Sequence, residues 1–439
     1  MKSKFKILLC LVLASMTFAG CGIRDKKDSA RAMLTSEEAR AICLAPPRDG
    51  SPIGQAISEH QDRARRLPGQ PNEWILVGNG WIRKARRSGD PGFYVNVEAC
   101  AEAALLAAPD NIAGLQLRSL ALMNDHRFAE ARDVARKILT KDERQVLALG
   151  TLSDAQLELG QFEESAAAAQ KMMDVRPDMA SYSRASYLRW LQGDTANAKR
   201  FIRYALNGRD GKDPEPAAWT LVQAGMLYWN EADFEGADAV FAEALNWVPD
   251  YPAALVGRAR VALSRNQPKA AVEFLETAYQ ASPLVETSWL LGDAHTMLGD
   301  TSAARKYYDQ TIQQGKRTDR LTLALYYATK DIEHEQALQL IEAERAVRGG
   351  IYIDDTYAWA LYRAGRIPEA REASNHALRL GTLDARLLYH AGAIRLAAGD
   401  SGGRDLIRKA LSLNPRFDTT GSTEAVKLVS ENATKTAAN

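Results

Sequence analysis

Apolar residues along this chain recur at helical rather than alternating spacing, in stretches closed by glycine, proline or short polar turns. The stretches repeat. One unit carries Gly225, Tyr228, Phe234, Ala237, Phe241, Ala244 and Pro249. Ala237 recurs 34 residues on as Ala271, then as Ala304, Ala337 and Ala370 at steps of 33. Pro249 recurs as Pro283, and Phe128 and Ala131 recur as Phe162 and Ser165, each displaced by 34. Turn glycines follow the same beat at Gly160, Gly193, Gly299, Gly365 and Gly399. The step from Ala198 to Ala237 is 39, because a polar loop at 208–216 is inserted. Each unit predicts two helices joined by a short turn. Gly225 and Ala237 stand where the helices cross, Tyr228, Phe234 and Phe241 fill the space around them, and Pro249 and Pro283 end second helices. One such hairpin cannot bury its own apolar face, so neighbours must stack.

This pattern resembles the tetratricopeptide repeat, whose signature is a small residue, an aromatic, a turn glycine, a second small residue and a closing proline. The resemblance covers 70–416, which is 347 residues. It implies an all-α, right-handed superhelical solenoid of about ten helix-turn-helix repeats. The first unit, with Trp74, Gly78, Trp81 and Pro109, is the most degenerate. The units around Tyr326 and Trp359 lack the closing proline, and the former also lacks the turn glycine. Asp354-Asp355-Thr356-Tyr357-Ala358-Trp359 and on to Gly365-Arg366, Leu388-Tyr389-His390-Ala391-Gly392, and Leu413-Asn414-Pro415-Arg416-Phe417-Asp418 are similar to segments of a group of bacterial tetratricopeptide lipoproteins, largely uncharacterised. Residues 417–439 read as a capping helix at 421–432 and a disordered tail.

The front of the chain differs from its body. Lys2, Lys4 and Lys6 precede an apolar run at 7–18, too short to span a bilayer but suited to a secretory signal. Phe18-Ala19-Gly20-Cys21 resembles the lipobox of bacterial lipoproteins, with Phe18 where that group usually has leucine. The resemblance implies a lipoprotein signal peptide at 1–20 and lipidation at Cys21, whose acyl chains, palmitate included, hold a soluble body on a membrane. An ordinary signal peptide cut nearby, or an uncut anchor, is the other reading. Gly22, in place of aspartate, implies the outer membrane, with the body facing the periplasm. Residues 21–69 read as the lipidated cysteine and a polar tether, broken by Pro46-Pro47 and with a short helix at 36–42. In an oxidising compartment Cys43 and Cys100 can form a disulfide; two reduced, buried cysteines are the alternative.

Charge and motif chemistry narrow the task by exclusion. Lys+Arg number 56 against 55 Asp+Glu, which argues against nucleic acid as a partner. The four cysteines lack C-x-x-C spacing, so no zinc site is expected. Gly399-Asp400-Ser401-Gly402-Gly403 matches a nucleophile elbow, but Gly399 falls on the turn-glycine register and no strand surrounds it. His334-Glu335 has no second histidine to complete a metal motif, and Gly78-Asn79-Gly80 lacks a third glycine and a preceding strand. No catalytic residue, cofactor or metal is expected.

What remains is the surface that stacking creates. By resemblance to the family, first helices line the concave side. Their inner face then carries Tyr187, Trp190, Trp219, Met226, Trp229, Asn230, Arg260, Trp289, Asp293, Tyr326, Trp359, Tyr362 and Arg363. Trp219 and Met226 are two helical turns apart, and Trp190 is the equivalent of Trp229 one unit earlier. Aromatics and arginine dominate binding energy at protein interfaces, and the polar members would be costly to bury unpaired. The alternative is that the aromatics pack between hairpins. The reading is a lipid-anchored periplasmic scaffold that binds a segment of another envelope protein in its groove, in envelope assembly, secretion or pilus biogenesis. Its rival is a lipoprotein that binds sugars or peptidoglycan fragments by aromatic stacking.

Overall fold

Left-handed residues set the hairpin turns. Gly160, Gly193, Gly299, Gly365 and Gly399 all have φ between 73° and 80°. Where the turn lacks glycine, His126, Ala232, Asn266 and Asp331 take the same region, at φ 55–60°. Asp331 is thus the turn residue of the unit around Tyr326. An aspartate often follows the turn residue and caps the next helix. Asp194, Asp233 and Asp300 each accept from a first-turn amide, at 3.1, 2.9 and 3.0 Å.

The computed structural model describes residues 35–430 apart from 49, 210 and 212; the signal segment, Cys21 and the residues from 431 onward lie outside the described residues. Among the described residues there is no strand. The chain opens with α1 (Ser36–Cys43) and α2 (Pro52–Arg66). Ten hairpins follow. They are α3 (Pro71–Ser88) with α4 (Tyr94–Ala107), α5 (Ile112–Asn124) with α6 (Phe128–Lys141), α7 (Val146–Glu158) with α8 (Phe162–Val175), and α9 (Met179–Leu191) with α10 (Thr195–Asn207). Next come α11 (Pro214–Asn230) with α12 (Phe234–Trp247), α13 (Pro252–Ser264) with α14 (Pro268–Ala281), and α15 (Val285–Leu298) with α16 (Thr301–Thr318). The last three are α17 (Arg320–Lys330) with α18 (His334–Arg345), α19 (Ile351–Arg363) with α20 (Ile367–Ala377), and α21 (Ala385–Ala397) with α22 (Gly403–Leu413), before a final α23 (Gly421–Ser430). The fold is an all-α superhelical solenoid. Phe241 shows how tightly a unit closes: a Cβ on Gly225 or on Gly257 would lie 2.5 Å from its ring. The small residue at the crossing is a steric requirement there.

Residues 36–66, expected within a polar tether, are instead folded onto the solenoid. Ala39, Cys43, Ile57 and Ala64 are fully buried. Cys43 is disulfide-bonded to Cys100 in α4, and its carbonyl accepts from the Trp81 indole and the Gln61 amide, both at 3.1 Å. Few and small apolar residues suffice here, because the bond and the side-chain donors share the work of docking.

Successive turns of the superhelix touch. Ser282 Oγ donates to the Gly89 carbonyl at 2.7 Å, the Gly349 amide to Glu158 at 2.8 Å, and Asn414 Nδ2 to Trp229 at 2.8 Å. Thr382 Oγ1 donates to the Leu191 carbonyl. These pairs lie 185–193 residues apart, between five and six units of about 34. Gly193 meets Gly381 so closely that a Cβ would sit 2.5 Å from the Gly381 oxygen. A shared apolar cluster seals the contact, with Leu188, Trp190 and Leu191 from one turn against Ile351 and Leu387 from the next.

Candidate functional site

Because the turns touch, the inner face is a chamber and not an open groove. Its volume is about 630 Å³, within the range of small-molecule sites. First helices supply Leu157, Tyr187, Trp229, Arg260, Trp289 and Asp293. The next turn supplies Arg348, Tyr352, Arg379 and Arg386, and the connector after α22 supplies Arg416–Thr419. That connector is fixed in place. Trp229 Nε1 donates to Ser264 Oγ at 3.1 Å, and Ser264 Oγ donates to the Arg416 carbonyl at 3.2 Å.

Five of the thirteen expected groove residues therefore meet at one space: Tyr187, Trp229, Arg260, Trp289 and Asp293. Tyr187, Arg260 and Asp293 each directly follow the small residue at a helix crossing, so the repeat register aims them alike. Tyr187 is 41% exposed, but into the chamber, and burial there pushes its phenol well above the ordinary tyrosine pKa. Arg260 pairs with Glu286 and lies 5.6 Å from the centre of the Trp229 ring. Burial, reinforced by the Arg386 charge, pushes the Arg260 guanidinium down to about 10.

The other expected groove residues require correction. Trp190 is buried between Tyr187 and Tyr352, with stacked rings at 5.8 and 6.3 Å. Tyr326 packs edge-on against Trp289, and Trp359, 1% exposed, stacks on His390 at 4.0 Å. Tyr362 stacks on Trp359, and Arg363 lies over the same ring and bonds Glu424 of α23 at 2.9 Å. In each case a hairpin neighbour or the following turn covers the inner face. Trp219, Met226 and Asn230 stand outside the chamber; Trp219 is 47% exposed. Ser401 lies in the turn between α21 and α22, and His390 points away into a buried pair with Asp355 at 3.0 Å.

Arg386, Arg348 and Tyr352 were not among the expected site residues. Arg386 sits six residues before Gly392, as Trp219 sits six before Gly225, so extending that register along the chain would have found it. Arg348 and Tyr352 reach the chamber only through the closure between turns, which has no local signal.

Where the turns meet at Gly349, a titrating ring adds a pH dependence. His126 stacks on Phe128 at 5.5 Å, and the Arg348 guanidinium lies 5.3 Å from the same Phe128 ring. Partial desolvation of this exposed ring against its neighbours first, then the Arg348 charge, hold the imidazole below its ordinary 6.5, against the opposing pull of Asp319 and Asp125. Arg348 also pairs with Glu158, whose carboxyl is raised by burial. The unfolded chain protonates this histidine first as pH falls. Its stabilising contribution is therefore full above pH 6.5 and is lost as pH drops through the depressed folded value. Raised Glu158 acts in the opposite sense. We expect His126→Asn, which keeps a residue tolerant of left-handed φ, to lose less stability than wild type between about pH 7.5 and 5.5. Urea unfolding at the two pH values checks this; equal losses would remove His126 from the account.

Residues 222–286 match the family model for the tetratricopeptide repeat. The chain carries tetratricopeptide repeats. Superhelices of stacked repeats present extended surfaces to other molecules, which makes the class one of interaction scaffolds. No curated protein matches the chain. Among solved structures it is similar to PilW, described as a widely conserved type IV pilus biogenesis factor, at 17% identity over 46% of this chain and 92% of that one, with a TM-score of 0.39. It is similar to Pseudomonas aeruginosa pilF at 14% identity over 46% and 90%, TM-score 0.39. It is also similar to the human IFIT1 dimer with PPP-AAAA at 13% identity over 90% and 94%, TM-score 0.47. Likenesses at this level carry nothing about partner or pathway.

Proposed function

We propose that the protein is a lipid-anchored scaffold of the bacterial cell envelope, held at the outer membrane through Cys21 and facing the periplasm, where its repeats dock a segment of another envelope protein. Support for the address comes from the lysine-flanked apolar run that ends in Ala19-Gly20-Cys21, and from the Cys43–Cys100 disulfide, a bond of oxidising compartments. Among the described residues no helix is long and apolar enough to cross a membrane. Anchoring raises the effective concentration of whatever the repeats hold.

The observation that carries the docking role is Trp219. It is 47% exposed on α11, on one face with half-buried Met226 and Asn230, while the other inner-face tryptophans are buried. An exposed tryptophan beside a flexible methionine is a typical anchor for a partner. The test is capture from gently solubilised membranes, comparing wild type with a Trp219→Ala/Met226→Ala variant and with Cys21→Ser. Trp190 and Trp229 are unsuitable, because their loss would test packing. We expect an envelope protein to co-purify with wild type and to be lost from the folded double variant, and Cys21→Ser to leave the membrane fraction. Identical partners in both would remove the α11 face, and a membrane-bound Cys21→Ser would remove the lipid anchor. The half-open chamber favours a second reading, a small-ligand-binding lipoprotein.

A further inference from the structure

We infer that the chamber binds a small organic anion: a carboxylate on an apolar body, held at its charged end by Arg386 and Arg260 and at its apolar end by the walls at Trp229, Trp289 and Tyr352. This rests on the small-ligand reading and supplies its chemistry.

Donors and acceptors in the chamber do not balance. Glu158 is paired with Arg348, and Glu286 with Arg260. Asp293 accepts from Tyr308 and Lys330, both at 2.7 Å, and Asp418 accepts from the Thr420 and Gly421 amides at 2.8 and 2.6 Å. Every lining carboxylate is engaged. Arg386 is engaged only at a distance: its Nε is buried without a hydrogen-bond partner, and Asp384, Asp355 and Asp418 act on its charge without forming an ion pair or hydrogen bond with its side chain. Two further lining groups, Trp289 Nε1 and Arg348 Nε, are also buried without an acceptor. Among the lining residues described, all the unpaired buried polar atoms are thus donors, and two belong to cations.

The complementary ligand is an acceptor and carries negative charge. A cation would meet five lining guanidiniums, Arg260, Arg348, Arg379, Arg386 and Arg416, against four lining carboxylates. A neutral sugar would bring no charge to offset the Arg386 and Arg260 guanidiniums, each of which acts on the same space. Arg386 lines the same chamber as Arg260, and its charge helps depress the Arg260 pKa against the opposing pull of Asp418 and Asp384. An anion near both would relieve that repulsion, and guanidinium forks suit the planar carboxylate. Apolar walls account for the rest of the ligand: Leu157, Leu263, Leu325, Ile351 and Phe417 stand around the aromatics.

Calorimetry on the full-length protein in detergent tests this with 3-phenylpropionate, indole-3-propionate and octanoate, each against its own primary amide. We expect at least one acid to bind about tenfold or more tightly than its amide. Arg386→Gln is expected to abolish that preference and Arg386→Lys to keep part of it, with quenching of tryptophan fluorescence as a second readout. Arg386→Met separates a ligand contact from a structural one: its melting temperature should change little, since Asp384, Asp355 and Asp418 each keep hydrogen-bond partners of their own when the cation is removed. A marked fall in melting temperature would make Arg386 structural and overturn the assignment. Amides binding as well as acids would overturn the anion while leaving a small-ligand chamber. No binding by any acid below about 1 mM would overturn both, and the α11 docking face would stand or fall separately by capture.

Discussion

Opening the Cys43–Cys100 bond is expected to cost the N-terminal end of the solenoid about 4 kcal/mol, the chain-entropy value for a loop whose ends are 57 residues apart. The expectation is local because the first hairpin meets the next turn at few points, Ser282 Oγ on the Gly89 carbonyl and Arg87 on the Pro249 carbonyl at 3.2 Å, so a loss at this end need not travel. Cys43 closes α1, and around it converge the Trp81 indole, the Gln61 amide and, at Ile42, the Asn96 side chain at 2.8 Å. With the bond open, α1 and α2 retain those hydrogen bonds and a small apolar surface, chiefly Ala39, Ile57 and Ala64, for 31 residues between Ser36 and Arg66. Hydrogen exchange with and without reductant, or on a Cys43→Ala/Cys100→Ala variant, reads this directly. Peptides within 36–107 should lose protection while those from α11 onward keep it. Uniform loss along the chain would mean that α1 and α2 set the stability of the whole stack, and no loss would mean that hydrogen bonding alone docks them.

What the sequence could reveal was set by distance along the chain. The period, the turn glycines and the Gly225–Phe241 crossing are relations within one unit, so repetition exposes them. Even the missing glycine near Tyr326 is resolved locally, by Asp331 in the left-handed region. The placement of Tyr187, Arg260 and Asp293 on an inner face was legible for the same reason, since they share one register. Closure was not. It joins residues 185–193 positions apart through loops such as 349–350 and 381–383, which carry no period of their own. Trp190 was therefore readable as an inner-face residue but not as one covered by Tyr352. The helix at 36–42 was legible as α1, but its docking and the whole of α2 were not, because polar residues surround their few buried ones. Their docking depends on a disulfide that sequence offered only as one of two options.

Asp293→Ala should destabilise the protein by about 3–5 kcal/mol, the cost of leaving a largely buried cation without its partner. Asp293 is 5% exposed and accepts from Tyr308, from Lys330 and from Thr419 of the connector. Lys330 would then retain only Thr420 at 3.3 Å and the Tyr308 ring at 5.2 Å. If the lost stability is that of an unpaired cation, removing the cation as well should restore much of it. Asp293→Leu/Lys330→Met is therefore expected to be more stable than Asp293→Leu alone, with a coupling of 1 kcal/mol or more, on the order of other buried pairs. Simple additivity in urea unfolding would show that Asp293 acts through Tyr308 and Thr419 instead. The same carboxylate decides whether the chamber stays closed. Thr419 belongs to the connector that also carries Asn414 to the Trp229 carbonyl and the Arg416 carbonyl to Ser264. Releasing one end of that connector leaves three hydrogen bonds, at Asn414, Arg416 and Thr420, to hold Phe417 and Asp418 against the chamber wall. Asp293→Ala should accordingly weaken carboxylate binding although Asp293 carries the wrong charge to touch an anion, whereas Lys330→Met, which leaves the Thr419 contact in place, should weaken it less.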